Sequence, residues 1–286
     1  LVALQRARLG SLDAAAARSL RAQIAACLLD KLDSPAEALD ASKGLLADAA
    51  TAPATIQLLE RAFAAPKSPD EVRARALAEL RRHYAENGSA GEIIRVLKAA
   101  IAVADQAHAA DGGTAEGALD RKSLHRDVAE LLVGQGREAE AVEHYAALLV
   151  LDPWSEEART HLHELAERTE RLDRYADALA SAASTLGEAD GRLPARAVTL
   201  LFDAGTVRSD VLGDAKGAAA LYVRIFRAGG ADAAILLDVC RRLDALFHGE
   251  EQRAERLDVL EKRAGLEPEG AVRRDLWTEA ARLADE

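Results

Sequence analysis

Residues 124–153 read LHRDVAELLVGQGREAEAVEHYAALLVLDP, and their pattern decides the fold. Apolar residues recur at helical spacing on both sides of the 134–136 segment, which predicts two helices joined by a tight turn. Ala129 and Ala141 are small, so two antiparallel helices could approach closely at these positions. Larger side chains are placed to fill the space beside that contact: Val128, Leu132, Tyr145 and Leu148. Pro153 cannot continue the second helix, and the stretch is therefore a predicted helical hairpin.

The hairpin pattern recurs along the sequence. Ala141 is followed at the same second-helix position by Ala178, 37 residues on, and by Ala218 after 40 more. This pattern resembles the tetratricopeptide (TPR) repeat, and residues 124–153 match it most strongly. The resemblance implies a superhelix of stacked hairpins whose concave face holds a protein or peptide. A HEAT-like helical array is the nearest alternative, because the repeats are longer than the family pattern.

Composition favours many closely packed helices over one thick core. Hydrophobic residues make up 49% of the sequence, but aromatic residues make up only 3%, and alanine is abundant. No alternating apolar run typical of a strand is found. We therefore predict an all-α fold, an α-solenoid of about fourteen helices in stacked antiparallel hairpins. The expected helices span residues 12–31, 35–49, 52–65, 69–86, 90–107, 118–133, 137–151, 154–171, 173–187, 194–212, 214–228, 231–247, 250–264 and 270–285.

Turn residues divide the predicted array into two parts. Residues 107–119 contain three glycines and interrupt the helical rhythm, which predicts a flexible loop. The loop would separate N-terminal helical repeats at 1–106 from TPR-like repeats at 120–286. The sequence begins without methionine and reaches Glu286 inside what resembles the first helix of another hairpin. We therefore expect the natural array to continue beyond this sequence.

Charge and cysteine content exclude several classes of protein. The net charge of −11 argues against a general binder of nucleic acid or anionic membranes. The two cysteines, Cys27 and Cys240, lie far apart and indicate buried free thiols rather than a disulfide framework. No apolar stretch is long enough to span a membrane. Compartment is left open, with the cytoplasm slightly favoured.

The sequence gives only weak evidence for a catalytic or metal-binding site. The segment 134–139 superficially resembles a dinucleotide fingerprint, but the residues before it have helical rather than strand periodicity. His161 and His163 would point about 200° apart on a helix, so they could not share a metal ion. His163 could instead pair with Glu167 one turn later. We therefore expect no catalytic residue, metal or cofactor, and no enzymatic activity.

The TPR resemblance also implies a binding stripe on the first helix of each hairpin. Carrying that stripe over residue by residue gives the predicted partner-binding residues Arg21, Arg75, Arg82, Arg126 and Glu130. The same stripe includes Arg18, His163, Glu167 and Arg208. These arginines could simply be solvated helix residues, since exposed charge needs no special explanation. If they bind, guanidinium groups would take carboxylates of an acidic peptide or the C-terminal carboxylate of a partner.

Two functions compete on this basis. The first is a non-enzymatic scaffold that binds a peptide or protein partner in a concave groove. The alternative is a helical-array enzyme or small-ligand-binding protein with a pocket between helices. An open groove would support the scaffold, whereas a deep closed pocket with perturbed acids or histidines would support the alternative.

Overall fold

The computed structural model describes residues 2–65, 68–110, 119–247 and 252–285. These residues form fifteen α-helices and no β-strand, the nearest feature being an isolated bridge between Ala189 and Arg192. The all-α prediction is therefore confirmed. Within the described residues, no helix has the length and apolar character required to cross a membrane.

The protein divides into two compact units, Leu1–Gly134 and Gln135–Glu286. The helices of the first unit are α1 (Val2–Arg8), α2 (Ala14–Leu32), α3 (Pro35–Ser42), α4 (Ala52–Ala64), α5 (Asp70–Glu86), α6 (Ala90–Ala110) and α7 (Arg121–Gly134). Those of the second unit are α8 (Glu138–Leu151), α9 (Glu156–Arg168), α10 (Leu172–Thr185), α11 (Ala195–Thr206), α12 (Ala215–Ala228), α13 (Ala233–Leu246), α14 (Arg253–Leu266) and α15 (Gly270–Asp285).

Helix packing in the first unit follows the order of the sequence. The main contacts join α2 with α3, α4 with α5, α5 with α6, and α6 with α7. Helix α5 shows why: its buried side chains recur at helical spacing, at Val72, Ala76, Leu80 and Tyr84. Leu77 is buried beside this stripe, so the helix presents one apolar face to its neighbours.

The second unit packs in the same sequential way. Helix α8 contacts α9 and α10, and from α10 onward each helix contacts the next one as far as α15. Ala141, Ala178 and Ala218 are all buried, as expected for small residues where helices approach closely. Sequential contacts of this kind are those of a helical solenoid built from stacked hairpins, as predicted.

Several predicted details are corrected. The helix expected at 35–49 stops at Ser42, because Gly44 adopts a left-handed φ of +77° and a 3₁₀ turn follows at Leu45–Ala47. The helix expected at 194–212 is α-helical only to Thr206 and continues as a π-helical turn at Val207–Val211. Helix α1 has no counterpart among the predicted helices.

The predicted loop at 107–119 stays a prediction. Helix α6 extends through Ala110, four residues into that segment, and residues 111–118 lie outside the described residues. The residues of the quoted hairpin fall on both sides of the boundary at Gly134. Its principal apolar positions are buried in α7 and α8, namely Val128, Ala129, Leu132, Ala141, Tyr145 and Leu148.

Candidate partner-binding surface

Two cavities lie side by side in the first unit and share Asp40. The first has a volume of about 390 Å³ and is lined by residues of α3, α4 and α5 and of the turn after α3. Its charged lining residues are Asp40, Lys43, Glu71, Arg75 and Glu79. The second, of about 470 Å³, lies between α1, α2 and α3, and its charged lining residues are Arg6, Arg21, Glu37 and Asp40. We call the two cavities together the Asp40 groove.

Asp40 lies at the centre of this groove and is already neutralised by the protein. Nη2 of Arg75 donates to its Oδ1 at 2.7 Å, and Nζ of Lys43 lies 3.2 Å from the same oxygen. The hydrogen bonds from Arg75 and Lys43 hold the pKa of the Asp40 carboxyl below its usual value. Asp40 therefore stays ionised at neutral pH, and it occupies the guanidinium group that was predicted to bind a partner.

Arg21 differs from Arg75 in its local contacts. Its Nη2 donates to the backbone carbonyl of Lys43 at 2.8 Å, at the point where α3 has ended and the backbone turns through Gly44. Among the residues that the structure describes, the Arg21 guanidinium takes part in no ion pair. Within the described residues its hydrogen bond is therefore to a neutral carbonyl oxygen, although the carboxylates of Glu37 and Asp40 line the same cavity.

Arg82 on α5 and Arg126 on α7 each adjoin an ion pair between the two helices. An ion pair of 2.6 Å between Arg81 and Asp127 joins α5 to α7, and both helices pack against α6. Arg82 follows Arg81 and Arg126 precedes Asp127, so each lies beside this ion pair on its own helix. Arg75, seven residues before Arg82, lies on the same face of α5 as Arg82.

The five predicted residues therefore have unequal access to a partner. Arg75 is paired with Asp40, and Arg82 is paired with Glu79 on its own helix. Arg126 and Glu130 on α7 take part in no ion pair within the described residues, although they are one turn apart. Their role in binding a partner stays a prediction. Sequence reasoning did not find Asp40 or Glu71, since acidic residues are common in this protein and neither belongs to a motif.

The second unit uses its stripe residues differently. Three ion pairs link elements that have one helix between them: Arg174 with Glu143, Arg208 with Asp177, and Arg242 with Asp210. In each pair the partners are 31 or 32 residues apart, a spacing close to one hairpin repeat. The hydrogen bond from Arg174 lowers the pKa of Glu143. Arg208, predicted to face a partner, instead binds the protein's own carboxylates.

The histidines of α9 behave as their spacing indicates. Nε2 of His163 lies 3.7 Å from Glu167, and its ring meets Tyr175 edge-on. His161 instead contacts Tyr145, so the two histidines face different neighbours. No group of histidine, cysteine, aspartate or glutamate in the described residues could hold a metal ion.

Burial shifts the pKa of a few groups away from the Asp40 groove. Desolvation raises the pKa of Asp203 in α11, although Arg159 lies 3.2 Å away. Burial lowers the pKa of His125 in α7 and raises that of the Cys240 thiol to about 11. Cys240 is buried as predicted, whereas Cys27 is only half-buried, and both are free. None of these groups lines either cavity of the Asp40 groove.

The sequential packing of its helices defines the molecule as an all-α helical-repeat protein. No family model matches the sequence, and no curated protein matches it. Among solved structures, the MamA protein shares 17% identity with a TM-score of 0.29, covering 68% of this chain and 92% of that one. BtubC from P. vanneervenii shares 15% identity with a TM-score of 0.29, covering 85% of this chain and 92% of its own.

Proposed function

We propose that this protein is a non-enzymatic scaffold of the degenerate TPR type. Its first unit would bind a peptide or protein segment on the surface formed by α2, α3, α5 and α7. The proposal is supported by the position of Arg75 at the open Asp40 groove and by the ion pair beside Arg82 and Arg126 that joins α5 to α7.

Two of the predicted arginines have most to offer a partner. Arg21 and Arg126 have no carboxylate partner among the described residues, so a ligand carboxylate would not have to displace one. Arg75 and Arg82 already have such partners and would gain less from a ligand. An acidic segment of a partner protein should therefore bind best when its carboxylates reach Arg21 and Arg126. Since the surface is open, its ion pairs with a partner would weaken with salt.

A small-ligand-binding protein is the second candidate. The 390 Å³ of the first cavity falls within the range that small molecules occupy, about 300–1,000 Å³. Leu39 and Leu59 form part of an apolar floor there. The rim is densely charged and opens beside a second cavity, which favours an extended segment over one enclosed molecule. A ligand that stabilises the protein without competing with a peptide would favour this second candidate.

The proposal is tested by reversing the charge of the three arginines. The triple variant Arg75→Glu, Arg82→Glu and Arg126→Glu should reduce capture of partners from a native extract. Association at low salt should slow by about tenfold, because electrostatic steering acts mainly on the association rate. Helical content, measured by circular dichroism, should stay unchanged, since all three side chains reach the surface.

A matched control keeps the change in net charge constant. The control is the triple variant Arg61→Glu, Arg95→Glu and Arg8→Glu. Like the first variant, it replaces two arginines that are in ion pairs and one that has no ion pair among the described residues. None of these three lines the Asp40 groove. The control variant should capture partners as the unaltered protein does. Equal loss in both triple variants, or normal capture by the first, would contradict the proposed surface.

A further inference from the structure

We propose that the Asp40 groove selects a segment that carries both an acidic and a basic side chain. The acidic group would bind Arg21 in the second cavity, and the basic group would bind Glu71 in the first. This inference rests on the proposed binding function and specifies the chemistry of its ligand.

The charges that line the groove are nearly all paired within the protein. Arg6 is paired with Glu37 at 2.8 Å, and Arg75 and Lys43 both bind Asp40. The carboxylate of Glu79 is paired with Arg82. The pair of Arg6 with Glu37 and the pair of Arg82 with Glu79 are each neutral, whereas Asp40 with its two cations keeps one net positive charge. The selectivity of the groove therefore depends most on the two lining side chains that have no charged partner among the described residues.

One remaining charge is positive and lies in the second cavity. The Arg21 guanidinium donates to the Lys43 carbonyl, but it has further N–H groups and no carboxylate partner in the described residues. Ile24 and Leu9 line the same cavity. A glutamate or aspartate of the ligand could pack its stem against these apolar groups while its carboxylate reaches the guanidinium.

The other remaining charge is negative and lies in the first cavity. Glu71 is in the first turn of α5, is exposed, and has no hydrogen bond or ion pair of its side chain within the described residues. The helix dipole stabilises a negative charge at this position, which accounts for an acidic residue there without any ligand. Its place on the cavity rim, beside the apolar Leu39 and Leu59, gives it a second role. A lysine or arginine stem could lie on this floor with its charge at Glu71.

Asp40 lies between the Arg21 end and the Glu71 end of the groove, because it lines both cavities. Because two cations already hold its carboxylate, it neither attracts a basic ligand strongly nor leaves Arg75 free for an acidic one. The groove is therefore positive at Arg21, carries one net positive charge at Asp40 with its two cations, and is negative at Glu71. A purely acidic segment would leave Glu71 without a partner.

Binding of short synthetic peptides tests the inference. Fluorescence anisotropy would compare alanine-based peptides that carry only glutamates, only lysines, or both in either order. The unaltered protein should bind one of the mixed peptides tightest, by roughly two- to fivefold over the glutamate peptide, as expected for one exposed ion pair. The Glu71→Lys variant should reverse that preference in favour of the glutamate peptide. The Arg21→Glu variant should shift it toward the lysine peptide.

Controls separate this inference from the proposed function. Glu86→Lys on the same helix and Arg8→Glu make the same charge changes away from the groove, and both should keep the original ranking. Glu71→Gln is the milder variant if lysine disturbs the first turn of α5, and it should abolish the discrimination. An unchanged ranking in Glu71→Lys and Glu71→Gln would overturn the mixed-charge inference and leave the scaffold standing. Absence of binding by every peptide would overturn both.

Discussion

A single guanidinium group, that of Arg208, connects three elements of the second unit. It lies in the π-helical turn Val207–Val211 and is paired with Asp177 of α10 and with Asp214. Asp214 is also the N-cap of α12, where its Oδ1 accepts a hydrogen bond from the backbone N–H of Gly217 at 2.8 Å. The Gly217 and Arg208 hydrogen bonds together lower the pKa of the Asp214 carboxyl.

Gly217 is required by this arrangement of side chains. A Cβ at this position would lie 2.6 Å from Nη1 of Arg208 and even closer to the Asp214 carboxylate. Gly217→Ala should therefore displace the N-cap and lower the free energy of unfolding by about 1 kcal/mol, despite the higher helix propensity of alanine. Urea denaturation followed by circular dichroism measures the change.

Gly265→Ala is the control for that substitution. Gly265 is in the last turn of α14, and a Cβ there would meet no atom within 4 Å. Alanine should stabilise this helix by up to about 0.5 kcal/mol, less than in a helix interior. If the two variants moved the urea midpoint in the same direction, the close approach at Gly217 would not matter for stability.

At the scale of the helix, the sequence predicts position well and side-chain partners poorly. Helical periodicity and turn residues place fourteen helices because both signals are local, as at Pro35, which begins α3. Asp152 illustrates the limit: with Pro153 after it, it resembles a helix cap, but α9 begins at Glu156 with Ser155 as its N-cap. The apolar period of Leu200, Ala204 and Val207 runs unbroken into the π-helical turn, so no local signal marks it.

The candidate site shows the same limit. The TPR resemblance selects Arg75, but nothing local identifies Asp40 as its partner, because the two residues are 35 apart in the sequence. Their contact depends on how α3 ends and on how α3 and α5 pack, which are tertiary properties. The early stop of α3 at Ser42 also differs from the prediction, although Gly44 is its visible cause. Acidic and basic residues are too common here for charge alone to reveal the pairs.

Two buried alanines of the second unit give the prediction at this scale. Ala141 in α8 and Ala218 in α12 are fully buried. Replacing either with leucine should force neighbouring side chains or backbone apart and lower the free energy of unfolding by roughly 1–3 kcal/mol. Ala139→Leu in the exposed first turn of α8 adds the same volume and should change stability little. Thermal melting compares the three variants, and an unchanged Ala141→Leu would show that the predicted hairpin register is wrong.

At the scale of the whole molecule, the helices of each unit pack mainly against helices that are near them in the sequence. In the second unit the main helix contacts link elements adjacent in sequence, together with α8 and α10 on either side of α9. The ion pairs of Arg174, Arg208 and Arg242 join elements about one repeat apart. Stability in such an array is approximately a sum of local terms and nearest-neighbour terms. Damage to one end should therefore remain at that end.

Hydrogen exchange in variants of the second unit tests this expectation. Leu276 in α15 packs in a cluster with Leu260 and Ala264 of α14, so Leu276→Ala should cost about 2–5 kcal/mol locally. Backbone amides of α14 and α15 should then exchange faster, while those of α8 to α10 keep their protection. Leu162→Ala in α9 should give the reverse gradient, since Leu162 is fully buried at the other end of the unit. A uniform loss of protection in both variants would mean that the unit unfolds as one cooperative bundle, because only shared long-range contacts could carry the damage from α15 to α8.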